Sequence, residues 1–342
     1  MGRIKLAHGS GGIEMGDILN KLIFSRVADE FKRIRGGLGI DNPDDAAAIP
    51  VGDKYIVIST DSYTVNPPFF PESNIGGLAA SGTINDVLMA GARPIAALDS
   101  IIVEEGFSMD DLGLIIDTMI KVFTDNNVAL IGGDFKVMPR NSIDRIVINT
   151  VGVGLAEKLI VDKNIRVGDK ILVTGPIGEH GAVILALQEG IKPDEVAIKS
   201  DVKPLTGLMV KLFEYIDYIH AARDPTRGGL SMLLNDWARI SGKLIYIDES
   251  KIPIRDEVKS YSNLLGIDPY SLASEGVAVL SIDPGIADEI IDLLHGLGYS
   301  DVSLIGEVRS GEKMPGRVVI RTTIGGLRFL EPPTGELVPR IC

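Results

Sequence analysis

One cysteine in 342 residues, at the last position, rules out an internal disulfide and suits a reducing compartment such as the cytoplasm. Histidine is nearly as scarce. His8, His180, His220 and His295 are scattered without metal-ligand spacing, which argues against a zinc site. Gln occurs only at Gln188, a shortage of thermolabile side chains that fits a thermophile. No run approaches the ~20 apolar residues of a membrane span. The opening Met1–Leu6 has no apolar core, so no secretory leader is expected, and Leu6 stands where a myristoylation motif wants Ser or Thr. Basic residues are outnumbered, 34 against 47 acidic, for a net charge of −13. That argues against a nucleic-acid partner, which needs clustered Lys and Arg, but does not exclude a nucleotide, which needs only a local site. An acidic chain that binds phosphate usually recruits a cation to do so.

What remains is an ordinary globular composition, 45% hydrophobic and 24% charged, long enough for two domains. Gly is frequent, at 39 residues, and predicts tight turns or close backbone approaches. The first forty residues have little strand pattern: His8-Gly9-Ser10-Gly11-Gly12 reads as a flexible loop, and 13–34 has mixed helical periodicity. Strands are predicted over 54–60, stopping at Asp61, over 95–103, and over 128–131, a short buried strand ending in Gly132-Gly133-Asp134. A long strand follows over 144–155. Helices are predicted over 74–91, rich in small residues, and 110–126. A second α/β cycle follows a boundary near 155–165. Its strands lie near 169–174, 243–247, 276–282, 302–308 and 316–322, its helices near 178–189, 204–216, 226–240, 254–265 and 285–297. From Glu331 on, three prolines and a glycine in twelve residues oppose helix and sheet and predict a mobile or extended tail.

The chemistry-bearing residues are mainly acids. Asp61 ends a predicted strand and Asp134 follows another through two glycines, while Asp44-Asp45 precedes Ala46-Ala47-Ala48-Ile49 and Asp86 follows Asn85 in the small-residue helix; carboxylates at strand ends converge on the sheet edge where α/β proteins bind ligands. Without His or Cys among them they suit Mg²⁺, which shares oxygen ligands with phosphates. Singly, each is as readily a turn or cap residue. Gly9, Gly11 and Gly12, and Gly132 with Gly133, would let backbone N–H groups approach phosphate oxygens, although neither matches the Walker or dinucleotide fingerprint. In Asp224-Pro225-Thr226-Arg227-Gly228-Gly229, Asp224 reads as a helix N-cap, Pro225 fits the first turn, and Arg227 can clamp phosphate. Ser274-Glu275-Gly276 is either a solvated turn or a general base in a tight loop. Cys342 is either an idle thiol or an accessible, reactive one; no prenylation box surrounds it.

Together these motifs resemble the HypE family of hydrogenase maturation factors, within the aminoimidazole ribonucleotide synthetase (PurM-like) superfamily. The matching residues are His8-Gly9-Ser10-Gly11-Gly12, Asp44-Asp45-Ala46-Ala47, Ser59 through Val65, Gly82 through Asp86, Gly91 through Pro94, Gly132 through Lys136, Asp224 through Gly229, Ser274-Glu275-Gly276 and the ending Pro339-Arg340-Ile341-Cys342. The middle motifs are shared across the superfamily, and the ending is particular to the family. Pro225 departs from the small residue the family pattern has, and fits the helix start.

The resemblance implies an α/β (α+β) fold of two PurM-like domains: a glycine-rich segment over 1–42, an ATP-binding and dimerisation domain over 43–157, a second domain over 158–330, and a flexible tail over 331–342. It implies a homodimer that pairs through the N-terminal sheets. It also implies a reaction, in which a carbamoyltransferase, HypF, loads a carboxamide on the Cys342 sulfur. ATP then drives its dehydration to a thiocyanate, and the cyanide passes to iron on a HypC–HypD complex for nickel–iron hydrogenase. By the same resemblance Asp45, Asp61, Asp86 and Asp224 hold Mg²⁺. Gly11, Gly12, Thr60, Asp61, Asn85, Asp86, Gly132, Gly133 and Asp134 line ATP, and Arg227, Glu275, Lys136 and Cys342 carry the chemistry, with Glu275 ahead of Lys136 as base. Thiamine-phosphate kinase and the purine enzyme share the acids without needing the thiol. Selenophosphate synthetase wants a reactive residue near the N-terminus that this chain lacks. A non-catalytic thiol carrier is the rival from another class.

Overall fold

The computed structural model describes residues 3–192, 195–335 and 339. Its helices are α1 (Ile13–Leu19), α2 (Ile75–Met89), α3 (Met109–Asp125), α4 (Glu179–Gln188), α5 (Thr206–Leu212), α6 (Gly229–Ser241), α7 (Asp256–Leu265) and α8 (Ala287–Gly296). The strands of the first half are β1 (Ala47–Val51), β2 (Lys54–Tyr63), β3 (Phe69–Phe70), β4 (Ser73–Asn74), β5 (Arg93–Glu104), β6 (Ala129–Met138) and β7 (Ile146–Ala156). Those of the second are β8 (Lys170–Val173), β9 (Ile219–Arg223), β10 (Leu244–Asp248), β11 (Val279–Ile282), β12 (Ser303–Arg309), β13 (Arg317–Arg321) and β14 (Leu327–Phe329). None of the described helices is long and apolar enough to cross a membrane.

Each half carries one large sheet. The first has the order β1-β2-β7-β5-β6, antiparallel except for the parallel pair β5–β6. The second has the order β14-β13-β10-β12-β8-β11-β9, antiparallel except for β10–β13. Between the sheets one apolar core runs through both halves. Leu78, Ile84 and Ile115 from α2 and α3 share it with Val183, Leu208 and Ile290 from α4, α5 and α8. On the far side of the second sheet α6 packs Leu230, Leu234 and Trp237 onto Ile171, Ile245 and Ile320.

The small residues of α2 let it sit unusually close to the first sheet. Every residue of the helix is buried except Asp86. A Cβ at Gly154 of β7 would collide with Val87, and one at Gly82 with the Tyr63 hydroxyl. Asn74 caps the helix by accepting from Gly76 N at 2.9 Å and Gly77 N at 3.2 Å.

Three sequence expectations change. The strand ending at Asp61 continues to Tyr63, so Asp61 projects from within β2. The short buried strand at 128–131 is a ten-residue edge strand, β6, exposed along nearly its whole length. The helix expected from 226 starts at Gly229, with Gly228 as its N-cap and both glycines at positive φ, so Asp224 is not its N-cap.

The root of the tail is extended, without helix or strand, and is tied to its neighbours. It runs back along α6, where Asn235 Nδ2 donates to Leu330 O and Ser231 Oγ to Glu331 O, at 2.8 and 2.7 Å. Gly335 N then donates to Glu14 Oε1 of α1 at 3.0 Å, and Pro339 is buried. Cys342, with residues 336–338, 340 and 341, lies outside the described residues.

Candidate active site

The strand ends, α2 and the loop before α6 meet around a cavity of about 280 Å³. Asp44 and Asp45 reach it from the loop before β1, Thr60 and Asp61 from β2, and Asp86 from α2. Arg223 closes β9, and Asp224, Thr226 and Arg227 follow in the turn that Gly228 and Gly229 complete. Gly11 covers one side. Its φ of +86° is a glycine conformation, and a Cβ there would strike the Arg227 side chain.

Six carboxylates, those of Asp44, Asp45, Asp61, Asp86, Asp224 and Asp236, thus face two guanidiniums. Arg223 is ion-paired with Asp45 at 2.9 Å, Asp162 at 2.8 Å and Asp236 at 3.5 Å. Burial works against its charge, but Asp162, Asp45 and Asp44 outweigh burial and hold it protonated. Arg227 Nη2 bonds Asp61 Oδ1 at 3.2 Å. The remaining negative charge is crowded. Burial first, then Asp61, Asp224 and Asp45, pushes the Asp86 carboxyl well above its ordinary range. Burial likewise raises Asp45 strongly and lifts Asp44 and Asp224 to about 7.

Such a set of oxygens, short of positive charge, fits a hard divalent cation. Asp45 Oδ2 and Asp224 Oδ2 are buried with no hydrogen-bond partner among the described residues. No three acidic, His or Cys residues among them close into a cage by themselves. A cation held here would need phosphate oxygens and waters to complete its shell.

The other expected residues fall elsewhere. Glu275 is 1% exposed and lies behind Asp224. Burial, then Asp224, Asp201 and Asp61, raises its carboxyl well above the ordinary range. Gly12 packs against Glu14 and the carbonyl of Pro333 rather than lining the cavity. Asn85, expected to line ATP, is wholly buried and bonds Lys203, Leu205 and Glu275 of the second half. Gly132, Gly133, Asp134 and Lys136 are not brought to the cavity of their own chain. Asp61, Thr150, Asp99 and Gly133 form one row across four strands, which separates Gly133 from Asp61 by about 14 Å. Lys136 Nζ instead bonds Asp134 Oδ2 at 3.0 Å on the exposed edge. Cys342 lies outside the described residues. Arg223 was not anticipated; its only signal was adjacency to Asp224 at a strand end.

Comparison with known proteins gives the family of the chain. Residues 43–156 match the family model "AIR synthase related protein, N-terminal domain", and 166–318 match "AIR synthase related protein, C-terminal domain". A carbamoyl dehydratase HypE of Azotobacter vinelandii is 36% identical over 100% of this chain and 98% of its own. The chain belongs to the HypE family. Two solved HypE structures are similar along their whole lengths. One, a HypE–HypF complex, has a TM-score of 0.83 and 35% identity over 94% of this chain and 100% of that one. The other, HypE with ATP, has a TM-score of 0.80 and 35% identity over 99% and 100%.

Proposed function

We propose that this chain is an ATP-dependent carbamoyl dehydratase acting on a carboxamide borne by its own Cys342. The observation that carries the reading is the tail root. It climbs α6 toward the acidic cavity and is tied at Gly335 beside Gly11 and Gly12. The seven residues from 336 to 342 can then extend at most ~25 Å, enough to bring the sulfur back to the cavity.

In this reading HypF is the carbamoyl donor, and the cyanide goes to iron on HypC–HypD in the cytoplasm. The carboxamide oxygen attacks the γ-phosphorus of ATP, ADP leaves, and one nitrogen proton is lost. Phosphate then departs with the second nitrogen proton, leaving S–C≡N. The sum is loss of one water, taken up in ATP cleavage. Asp45, Asp61, Asp86 and Asp224 would hold Mg²⁺, which supplies positive charge for the phosphoryl group when bound. Arg227 clamps a phosphate oxygen, and the Gly11 loop excludes water. Glu275, in its ionised form, takes a nitrogen proton.

A homodimer completes the proposal. On the first sheet Val57, Ala97, Ile101 and Ile148 are buried under α2 and α3. The alternate residues Ile58, Val153 and Leu98 face outward, and none of them is fully buried. Asp134 and Lys136 share that face, so pairing of two such sheets would present them to the second copy.

Mass spectrometry of the C-terminal peptide after incubation with carbamoyl phosphate, HypF and ATP tests the function. The expected product is a carbamoyl adduct that loses one water only when ATP and Mg²⁺ are present. An adduct that persists under those conditions makes the chain a carrier rather than an enzyme.

A further inference from the structure

Glu275 can act only from where its backbone holds it, and that backbone is gripped from both sides. Its N–H donates to Asp201 Oδ1 at 3.2 Å. Its carbonyl accepts from Asn85 Nδ2 at 3.2 Å and from Lys203 N at 3.4 Å. Ser274 is held as well, since its N–H donates to Pro225 O at 2.9 Å and its Oγ accepts from Gly178 N at 2.7 Å. Gly276 allows the close approach, because a Cβ there would collide with the Asp201 carbonyl.

The two side chains that grip residue 275 come from different parts of the molecule. Asn85 stands on α2 immediately before Asp86. The helix turns about 100° per residue, so Asp86 faces the cavity and Asn85 faces the second half. There Asn85 Nδ2 also reaches Lys203 O at 3.2 Å, and Oδ1 accepts from Leu205 N at 2.8 Å. One turn of one helix therefore sets both a cavity carboxylate and the height of the Glu275 loop.

Asp201 Oδ1 accepts a second N–H, from His180 in the first turn of α4, at 3.1 Å. The loop is thus anchored to a helix N-terminus, where a carboxylate is favoured. Asp201 Oδ2 is buried with no hydrogen-bond partner among the described residues, so the bonds of Oδ1 define what this side chain does. Domain docking alone would be served by any backbone atoms in the loop. Both side chains converge on the backbone of residue 275 itself.

We propose that Asn85 and Asp201 are positioning residues that aim the Glu275 carboxylate at the bound carboxamide, a role that rests on Glu275 being the base. Single-turnover conversion of carbamoylated full-length protein tests it, with Asp201→Ala, Asp201→Asn, Asn85→Ala and Asn85→Ser, each alone and combined with Glu275→Gln. Asp201→Ala and both Asn85 variants should slow thiocyanate formation ~10–100-fold. Half-saturating ATP should stay within ~2-fold. Asp201→Asn keeps the Oδ1 acceptor and should recover most of the rate. With Glu275→Gln present, none of the substitutions should add a further loss, because no base remains to be aimed. Should an alanine variant not fold, Asn85→Ser carries the same comparison. The proposal is overturned by wild-type rates in folded single variants, by equal losses in both backgrounds, or by a loss confined to ATP saturation. A wild-type rate for Glu275→Gln alone removes the base assignment first, and the positioning role with it.

Discussion

Buried at the wall of the acidic cavity, the Arg223 guanidinium meets the carboxylates of Asp45, Asp162 and Asp236 at once. A planar fork suits three partners where a Lys ammonium does not. Arg223→Met should therefore destabilise the protein by about 3–5 kcal/mol, the usual cost of leaving buried charges unpaired. Urea unfolding checks it, and a change under 1 kcal/mol would mean that the acids simply protonate. The carboxylates themselves make a second prediction. Asp44 and Asp224 hold their protons to about 7 in the folded protein, against about 3.9 when unfolded. Between those values the native state binds more protons, so stability falls as pH rises from about 4 to 7. Mg²⁺ should reverse that loss. In differential scanning calorimetry the nucleotide-free protein should melt lower at pH 8 than at pH 5, and Mg²⁺ should raise the midpoint more at pH 8. Equal Mg²⁺ effects at both pH values would take the cation away from these acids. The acids were legible as a set of carboxylates around a predicted strand end, a small-residue helix and a helix start. Arg223 was not, because its role depends on Asp162 and Asp236, distant in sequence and without a local pattern.

Among the elements, α2 matters most, for it places Asp86 and Asn85 together. Its closeness to β7 depends on Gly152 and Gly154, where added Cβ atoms would press on Thr83 and Val87. Gly154→Val should cost about 1–3 kcal/mol through overpacking. By lifting the helix it should also weaken the stabilisation given by Mg²⁺, read as a smaller shift of the melting midpoint. A full Mg²⁺ shift in a destabilised variant would show that Asp86 does not depend on the fit. Helices such as α3 and α8 could be read from their apolar spacing, and β5 and β7 from long apolar runs. The strands β1, β9 and β14 escaped because they are short: β1 contains Pro50, tolerable only on an edge, and β9 reads as the continuation of a helix. For β6 the apolar run suggested burial, and only the sheet order reveals it as an edge.

At the scale of the molecule, that edge and the outward face of the first sheet predict association. Ile131 and Phe135 are 64% and 51% exposed on β6. Sedimentation should find a dimer, and Leu98→Asp with Val153→Asp on the outward face should give monomers that no longer turn over ATP. A monomeric wild-type protein, or monomeric variants with full turnover, would leave Asp134 and Lys136 without a part in the site. The two-domain plan itself was legible from alternating helix and strand signals. The continuous core that welds the domains through α2 and α5 was not, since no local pattern says which apolar face meets which.

The tether of the tail root to α6 and Glu14 has a kinetic consequence. In the proposed reaction a substrate on a leash of seven residues would be confined near the cavity at an effective concentration in the millimolar range. Turnover of the carboxamide then behaves as a first-order, intramolecular event. It saturates in ATP alone and is indifferent to dilution of the protein below the point where copies separate. A detached carbamoylated peptide offered in trans must be supplied at millimolar levels to match it. Each glycine inserted between Gly335 and Pro339 should slow the reaction only gently, as a longer leash dilutes its own end.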